Sequence, residues 1–345
     1  MLTKIDCLVL KGLAIMSIMV HNYCHLLPGA SHENEFFFSE ENYCYFWNNI
    51  FSFNLIIHFF SFWGHLGVPV FIFLTGYGLA IKYKDFSNFI SIRSFLCLHY
   101  IKFFAPMFCG MLAFSTVFFV LKGELWPDWW KTFMTQMTLI NNLVLHPDLL
   151  IRPGVYWYFG LTMQLYVIFR LVVYRRSSCL LMHFVLLSLL AMSFLESKHY
   201  SMIWFKYNSV GWLLPFSIGV WSARYSIMLT NHTYHWIALF IASSGSILLS
   251  GSNFFLWLLT PAITILFFVS LCKLLKGPVY RIFLFMGKLS FYIFVVHPIV
   301  REVILYVMPL NSSFYIGLLF YILLVIIFSW FIYYISNLYR QLIKI

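Results

Sequence analysis

Lys11-Gly12-Leu13-Ala14-Ile15-Met16-Ser17-Ile18-Met19-Val20-His21 places a lysine and a histidine inside a run that is otherwise apolar enough to cross a bilayer. Read as a membrane helix, this stretch carries two groups that hydrocarbon disfavours. A lysine away from a helix end costs at least about 2.5 kcal/mol on insertion scales, so it requires a partner or a watered cavity. Ionisable residues at such depth are functional candidates by default.

The rest of the composition agrees with a membrane reading. Of 345 residues, 62% are hydrophobic, 21% aromatic and only 10% charged, and the mean hydropathy is +0.86. An ordinary water-soluble core does not absorb that much apolar surface. The first apolar run lacks a strongly basic leader and an A-x-A cleavage site, and more spans follow it. It is therefore expected to be a retained first helix rather than a signal peptide.

Apolar stretches of about 20 residues centre on Ile18, Phe71, Met111, Leu165, Leu187, Phe216, Ile241, Ile265, Phe294 and Leu324. The expected fold is an all-α polytopic membrane protein of about ten spans, one domain over residues 1–345, with no fixed-period repeat. The sixth span, about Val210 to Tyr225, is short, and Phe51 to Phe62 reads as a re-entrant or interfacial piece before the second. Charge supports the count. Lys82, Lys84 and Arg93, then Arg175 and Arg176, Arg224, Lys273, Lys276 and Arg281, and finally Arg340 and Lys344 fall in alternate connections. That is the positive-inside pattern for a chain with both termini cytoplasmic.

A net charge of +11 is then explained by cytoplasmic loops facing anionic lipid. The basic residues are dispersed over short connections rather than arrayed on one face, which argues against a nucleic-acid partner. The seven cysteines, Cys7, Cys24, Cys44, Cys97, Cys109, Cys179 and Cys272, form no C-x-x-C and no metal-ligand spacing, so no metal site is expected.

Histidine titrates near neutral pH and suits general-base work. His21 lies about 15 Å along a helix from Lys11, and His25 follows on nearly the same face. On this segment alone both read equally as interfacial residues satisfied by water or backbone. Three other segments add polar groups at membrane depth. Gly64-His65-Leu66-Gly67 leads to Thr75 and Tyr77; Trp157-Tyr158 leads to Gln164 and Tyr166; Gly287-Lys288-Leu289-Ser290 leads to His297. Each alone fits packing or an aromatic belt.

Taken in order, these four segments resemble acyltransferase family 3, integral membrane enzymes that move acyl groups onto carbohydrates and other surface molecules. Ile5-Asp6, Lys11-Gly12-Leu13-Ala14-Ile15 and His21 resemble the family's first-helix signature. Gly67-Val68 to Thr75-Gly76-Tyr77 resembles G-V-x-x-F-F-x-S-G-Y. Trp157-Tyr158 to Gln164-Leu165-Tyr166 resembles W-Y-L-x-x-x-x-Q-x-Y, and Gly287 through Ser290 to His297 resembles G-x-x-S-Y-x-x-Y-x-x-H.

The resemblance implies ten spans, His21 as catalytic base with His25 in reserve, and Lys11 at the acyl donor. It makes Asp6, Thr75, Tyr77, Trp157, Gln164, Ser290 and His297 further site candidates. The chain departs from the pattern in two places. Nine residues separate Lys11 from His21 where the family usually has ten. On an ideal helix this leaves the pair about 80° apart instead of about 20°, with Asn22 at the better-aligned position. The acidic pair often preceding the glutamine is Thr162-Met163 here.

The implied activity is transfer of an acyl group, acetyl from acetyl-CoA, to a carbohydrate hydroxyl in a bacterial inner membrane. Acyl-CoA is a co-substrate, no bound cofactor is expected, and the membrane-only form of the family is expected. The absence of a G-x-S-x-G elbow favours direct attack over an acyl-serine, with an acyl-histidine intermediate as the alternative. The segment from Pro28 to Asn49, with Glu33, Glu35, Phe36, Phe37, Phe38, Glu40, Glu41, Tyr43, Tyr45 and Trp47, suits sugar recognition, but an interfacial aromatic belt is the favoured reading. The competing class is a transporter or flippase of a polysaccharide precursor. Against it, no pair of broken spans recurs in corresponding halves.

Overall fold

The structure is a computed structural model that describes residues 2–34, 37–84, 90–225, 232–308 and 313–342. Glu35, Phe36 and Lys344, named above, lie outside the described residues. Ten principal helices follow in order: α1 (Lys4–Cys24), α2 (Leu55–Lys82), α3 (Ile92–Lys122), α4 (Gly154–Val173), α5 (Ser178–Leu195), α6 (Leu213–Arg224), α7 (Thr233–Ser250), α8 (Phe254–Leu274), α9 (Gly277–Val307) and α10 (Phe314–Leu338). No strand occurs among the described residues. The chain is an all-α polytopic membrane protein.

Nine of the ten helices are long and apolar enough to cross a membrane; the exception is α6. A 3-10 turn over Ser209–Trp212 leads into its 12 residues, about 18 Å of helix against about 30 Å of hydrocarbon. Both ends of α6 are tied down. Before it, Gln164 Nε2 on α4 donates to Asn208 Oδ1 at 2.8 Å, and the Ser209 N–H donates to Gln164 Oε1 at 2.8 Å. At its far end, the Arg224 guanidinium donates to the carbonyls of Arg176 and Val173 and to the Ser178 hydroxyl. Gln164 thus satisfies an N–H at the start of α6 that a longer helix would have bonded internally, and Arg224 anchors the other end to the turn that joins α4 to α5.

The first helix sits at the centre. In the apolar windows of α1 and of α2, 72% of residues are buried, against 22% in α7. A helix enclosed on all sides needs small residues where its neighbours cross. A Cβ at Gly12 would come within 1.9 Å of the Phe283 carbonyl oxygen on α9, and one at Gly287 within 1.8 Å of the Leu8 carbonyl oxygen on α1. On the α2 side, Gly67 abuts the Ala14 carbonyl in the same way.

Two predicted site residues belong to this scaffold. Asp6 closes a capping box with Thr3 at the start of α1 and pairs with Lys273 of α8 at 2.6 Å. The Tyr77 hydroxyl donates to the Leu2 carbonyl at 3.0 Å, tying α2 to the chain just before α1. The segment after α1 divides in two. Its helix Glu40–Asn48 buries Phe46 against Phe62, with ring centroids 5.2 Å apart, and Tyr43 donates to the Leu248 carbonyl at 2.9 Å. The aromatic residues there cover the ends of α2, α7 and α8, while Glu33 turns to the cavity described below.

Replacing Gly12 or Gly287 by leucine should abolish a monodisperse folded species in detergent size-exclusion chromatography. Gly245→Leu on α7, where a Cβ meets nothing within 4 Å, should elute as the wild type.

Candidate functional site

A cavity of about 670 Å³ runs beside α1, and Lys11, His21, Asn22 and His25 all line it. Lys11 and His21 thus share one cavity despite the 80° offset expected from the sequence. Helix order assigns the cavity two ends. At the end where α1 begins, Lys82 near the end of α2 and Lys102 in the first third of α3 join Lys11. At the end where α1 finishes, His21, His25, Glu33, His65, Lys206 and Arg301 converge. About 15 Å of helix separates Lys11 from His21.

The histidine ligation is specific. Nδ1–H of His21 donates to the Phe60 carbonyl at 3.1 Å, and Nδ1–H of His25 donates to the His21 carbonyl at 2.9 Å. A carbonyl only accepts, so in the neutral ring Nδ1 carries the proton and Nε2 keeps the lone pair. The His21 ring stacks on His25 at 4.7 Å and meets His65 edge-on at 5.6 Å. Ser17 Oγ, one turn before His21, donates to the Gly64 carbonyl at 2.8 Å, which holds the His65 turn against α1. His21 is buried, and His25 and Glu33 are half-buried.

Past the end of α1, electrostatics keep His25 neutral and Glu33 charged. Burial lowers the His25 imidazole well below its usual range, and the neighbouring His21 adds to this against the opposing field of Glu33. Burial alone would raise the Glu33 carboxyl. The charge that His21 and His25 carry when protonated, and that of Lys206, outweigh it and hold the group below the usual carboxylate range. Glu33 therefore stands as an anion beside the histidines at neutral pH.

Thr75, Trp157 and Ser290 also line the cavity. Thr75 Oγ1 donates to the Phe71 carbonyl and Ser290 Oγ to the Gly287 carbonyl, each at 2.9 Å, while Trp157 stacks on Trp212 at 5.7 Å. Asp6, Tyr77, Gln164 and His297 do not line it. His297 is completely buried one turn below Arg301 and donates Nδ1–H to the Ile293 carbonyl at 2.9 Å.

Lys102, His99, Lys206 and Arg301 were not singled out from sequence. Arg301 carried a readable signal, a cation four residues beyond His297 in an apolar run, and so did His99 and Lys102 in the third span. Lys206 lies in the short helix His199–Tyr207 between spans, and its approach to Glu33 depends on tertiary placement.

A family model described as an acyltransferase domain, that of acyltransferase family 3, matches residues 4–334. The chain belongs to acyltransferase family 3. Comparisons with curated proteins and with solved structures gave no match. As a member of acyltransferase family 3 the chain is an integral membrane acyltransferase, acting on a hydroxyl-bearing acceptor. The match takes in α1 through most of α10, so the cavity and its histidines lie wholly within the family domain.

Gln164→Leu would leave the Ser209 N–H and the Asn208 amide without their partner. It should cost about 1–3 kcal/mol of stability, read as a lowered melting temperature in detergent, because the role assigned to Gln164 is to hold the start of α6.

Proposed function

We propose that this acyltransferase moves an acetyl group from acetyl-CoA to a hydroxyl of a surface carbohydrate, in a bacterial inner membrane, with His21 as general base. The observation that carries the reading is the cavity along α1, with Lys11, Lys82 and Lys102 toward one end and His21, His25 and His65 gathered at the other. A donor with several phosphates and an uncharged sugar acceptor require two such ends.

The loop charges read from the sequence set the lysine end on the cytoplasmic side, where acyl-CoA is available, and the histidine end on the outer side. Lys11, Lys82 and Lys102 are the groups that hold the phosphates of CoA. The thioester then reaches along α1 toward His21. His21 Nε2, left as the lone-pair nitrogen by the Phe60 carbonyl, removes the proton of the acceptor hydroxyl as the oxygen attacks the thioester carbon. His25 stacks on His21 and keeps its own lone pair on the same nitrogen, which makes it the reserve base.

His21→Ala should lower turnover by about 10²–10⁴-fold, the usual contribution of a general base, at unchanged abundance in the membrane. The measurement is mass spectrometry of surface glycans from cells expressing wild type, His21→Ala, His25→Ala or no protein. An acetyl mass that persists with His21→Ala and disappears with His25→Ala would move the base to His25. The double variant Lys82→Gln, Lys102→Gln should raise KM for acetyl-CoA by roughly tenfold or more, since charge-assisted bonds contribute about 1.5–3 kcal/mol each. An unchanged KM would remove these lysines from the donor site.

A further inference from the structure

Arg301 is a cation in the interior of a membrane protein that its own neighbours leave under-bonded. It sits on α9 with 8% of its surface exposed and lines the histidine end of the cavity. Its Nη1 donates to the side-chain and main-chain oxygens of Asn22 at 3.4 and 3.5 Å, beyond the usual range for an N–H···O bond. Its Nη2 meets Glu302 at 3.2 Å, but Glu302 is the next residue on the helix and does not share its face. Buried Nε has no partner among the described residues. A guanidinium offers five N–H donors in a planar fork, so donors remain for a group that the described residues do not supply. Leaving such donors unpaired in a buried site is costly unless a ligand completes them.

The position indicates what completes them. Asn22 follows His21 directly, so the guanidinium lies against the same turn of α1 that carries the base. The acids Glu33 and Glu302 already balance Lys206 and Arg301 at this end, which disfavours a permanently anionic acceptor. A negative charge that exists only during reaction fits better. Resting on the acyl-transfer reading above, we infer that Arg301 is a further catalytic residue, the donor that holds the oxyanion of the tetrahedral intermediate.

The step balances as follows. The acceptor hydroxyl gives its proton to His21 Nε2, its oxygen bonds to the thioester carbon, and the carbonyl π pair moves onto its oxygen, to which Arg301 donates N–H bonds. On collapse that pair re-forms the carbonyl, the C–S bond breaks, and the departing CoA sulfur takes the proton back from His21. Hydrogen bonds aimed at the developing charge act on the transition state rather than on substrate binding.

The test uses full-length chain in membranes, with acetyl-CoA and the surface glycan that the wild type acetylates. Arg301→Ala should lower kcat by about 10²–10³-fold, as loss of one oxyanion donor does, with both KM values within about twofold. Arg301→Lys should recover part of the rate, and added guanidinium ion should restore Arg301→Ala but not His21→Ala. An unchanged kcat overturns the inference. So does a raised acceptor KM at unchanged kcat, which would assign Arg301 to an anion on the acceptor. A loss of rate with a lowered melting temperature and no guanidinium rescue overturns it as well, leaving a structural role. If these variants behave as wild type while His21→Ala is inactive, acyl transfer stands and only the Arg301 assignment falls. Absence of turnover by wild type would remove both.

Discussion

The close backbone contact of α1 with its neighbours is the constraint on which the rest depends. With glycine at Gly12, Gly67 and Gly287, three helices approach until carbonyl oxygens occupy the space of a missing Cβ. In lipid there is no general hydrophobic drive to bring helices together, so dispersion over these tight crossings and the hydrogen bonds beside them do that work. The crossing with α9 sets the line along which Ser290 and Arg301 reach the cavity. The crossing with α2 and the Ser17 to Gly64 bond bring His65 to within ring contact of His21. The site is in effect the seam left where α1 stops being closely wrapped.

Polar residues of the interior divide by what satisfies them. Gln164, Asn208 and Arg224 bond protein groups and fix the ends of a helix too short to stand alone. His21, His25 and Ser290 each spend one polar atom on a backbone carbonyl and still line the cavity. A buried polar side chain in a membrane protein is therefore not by itself a site residue; the useful distinction is whether its remaining bonding capacity meets protein or cavity.

Much of this was legible in the sequence. Hydropathy alone located all ten helices, because spans of about 20 apolar residues leave little room for another reading, and it marked the sixth as short. The histidine end was visible in His21 and His25, since ionisable groups in an apolar run stand out. Four motif residues read as site candidates proved to lie away from the cavity: Asp6, Tyr77, Gln164 and His297. Their chemistry looks the same in one dimension whether a side chain holds a helix end or faces a ligand. Lys102 and Lys206 were hidden for the opposite reason. A lysine in the first turns of a span or in a connection is easily read as an ordinary surface charge, and only the folding of α3 and of His199–Tyr207 beside the cavity brings these two to its opposite ends.

The central place of α1 also governs how the molecule is made. Asn22 and Arg301 meet across 279 residues of chain, so α1 leaves the ribosome long before its main partner exists. During that interval its lysine and histidine face lipid or the insertion machinery without the groups that later surround them, an expensive condition for ionisable side chains. The closing of α9 on α1, with α10 still to follow, is therefore a late, long-range step of the kind that folds slowly. Chains halted before α9 would present a half-wrapped polar helix to the cell's membrane quality control.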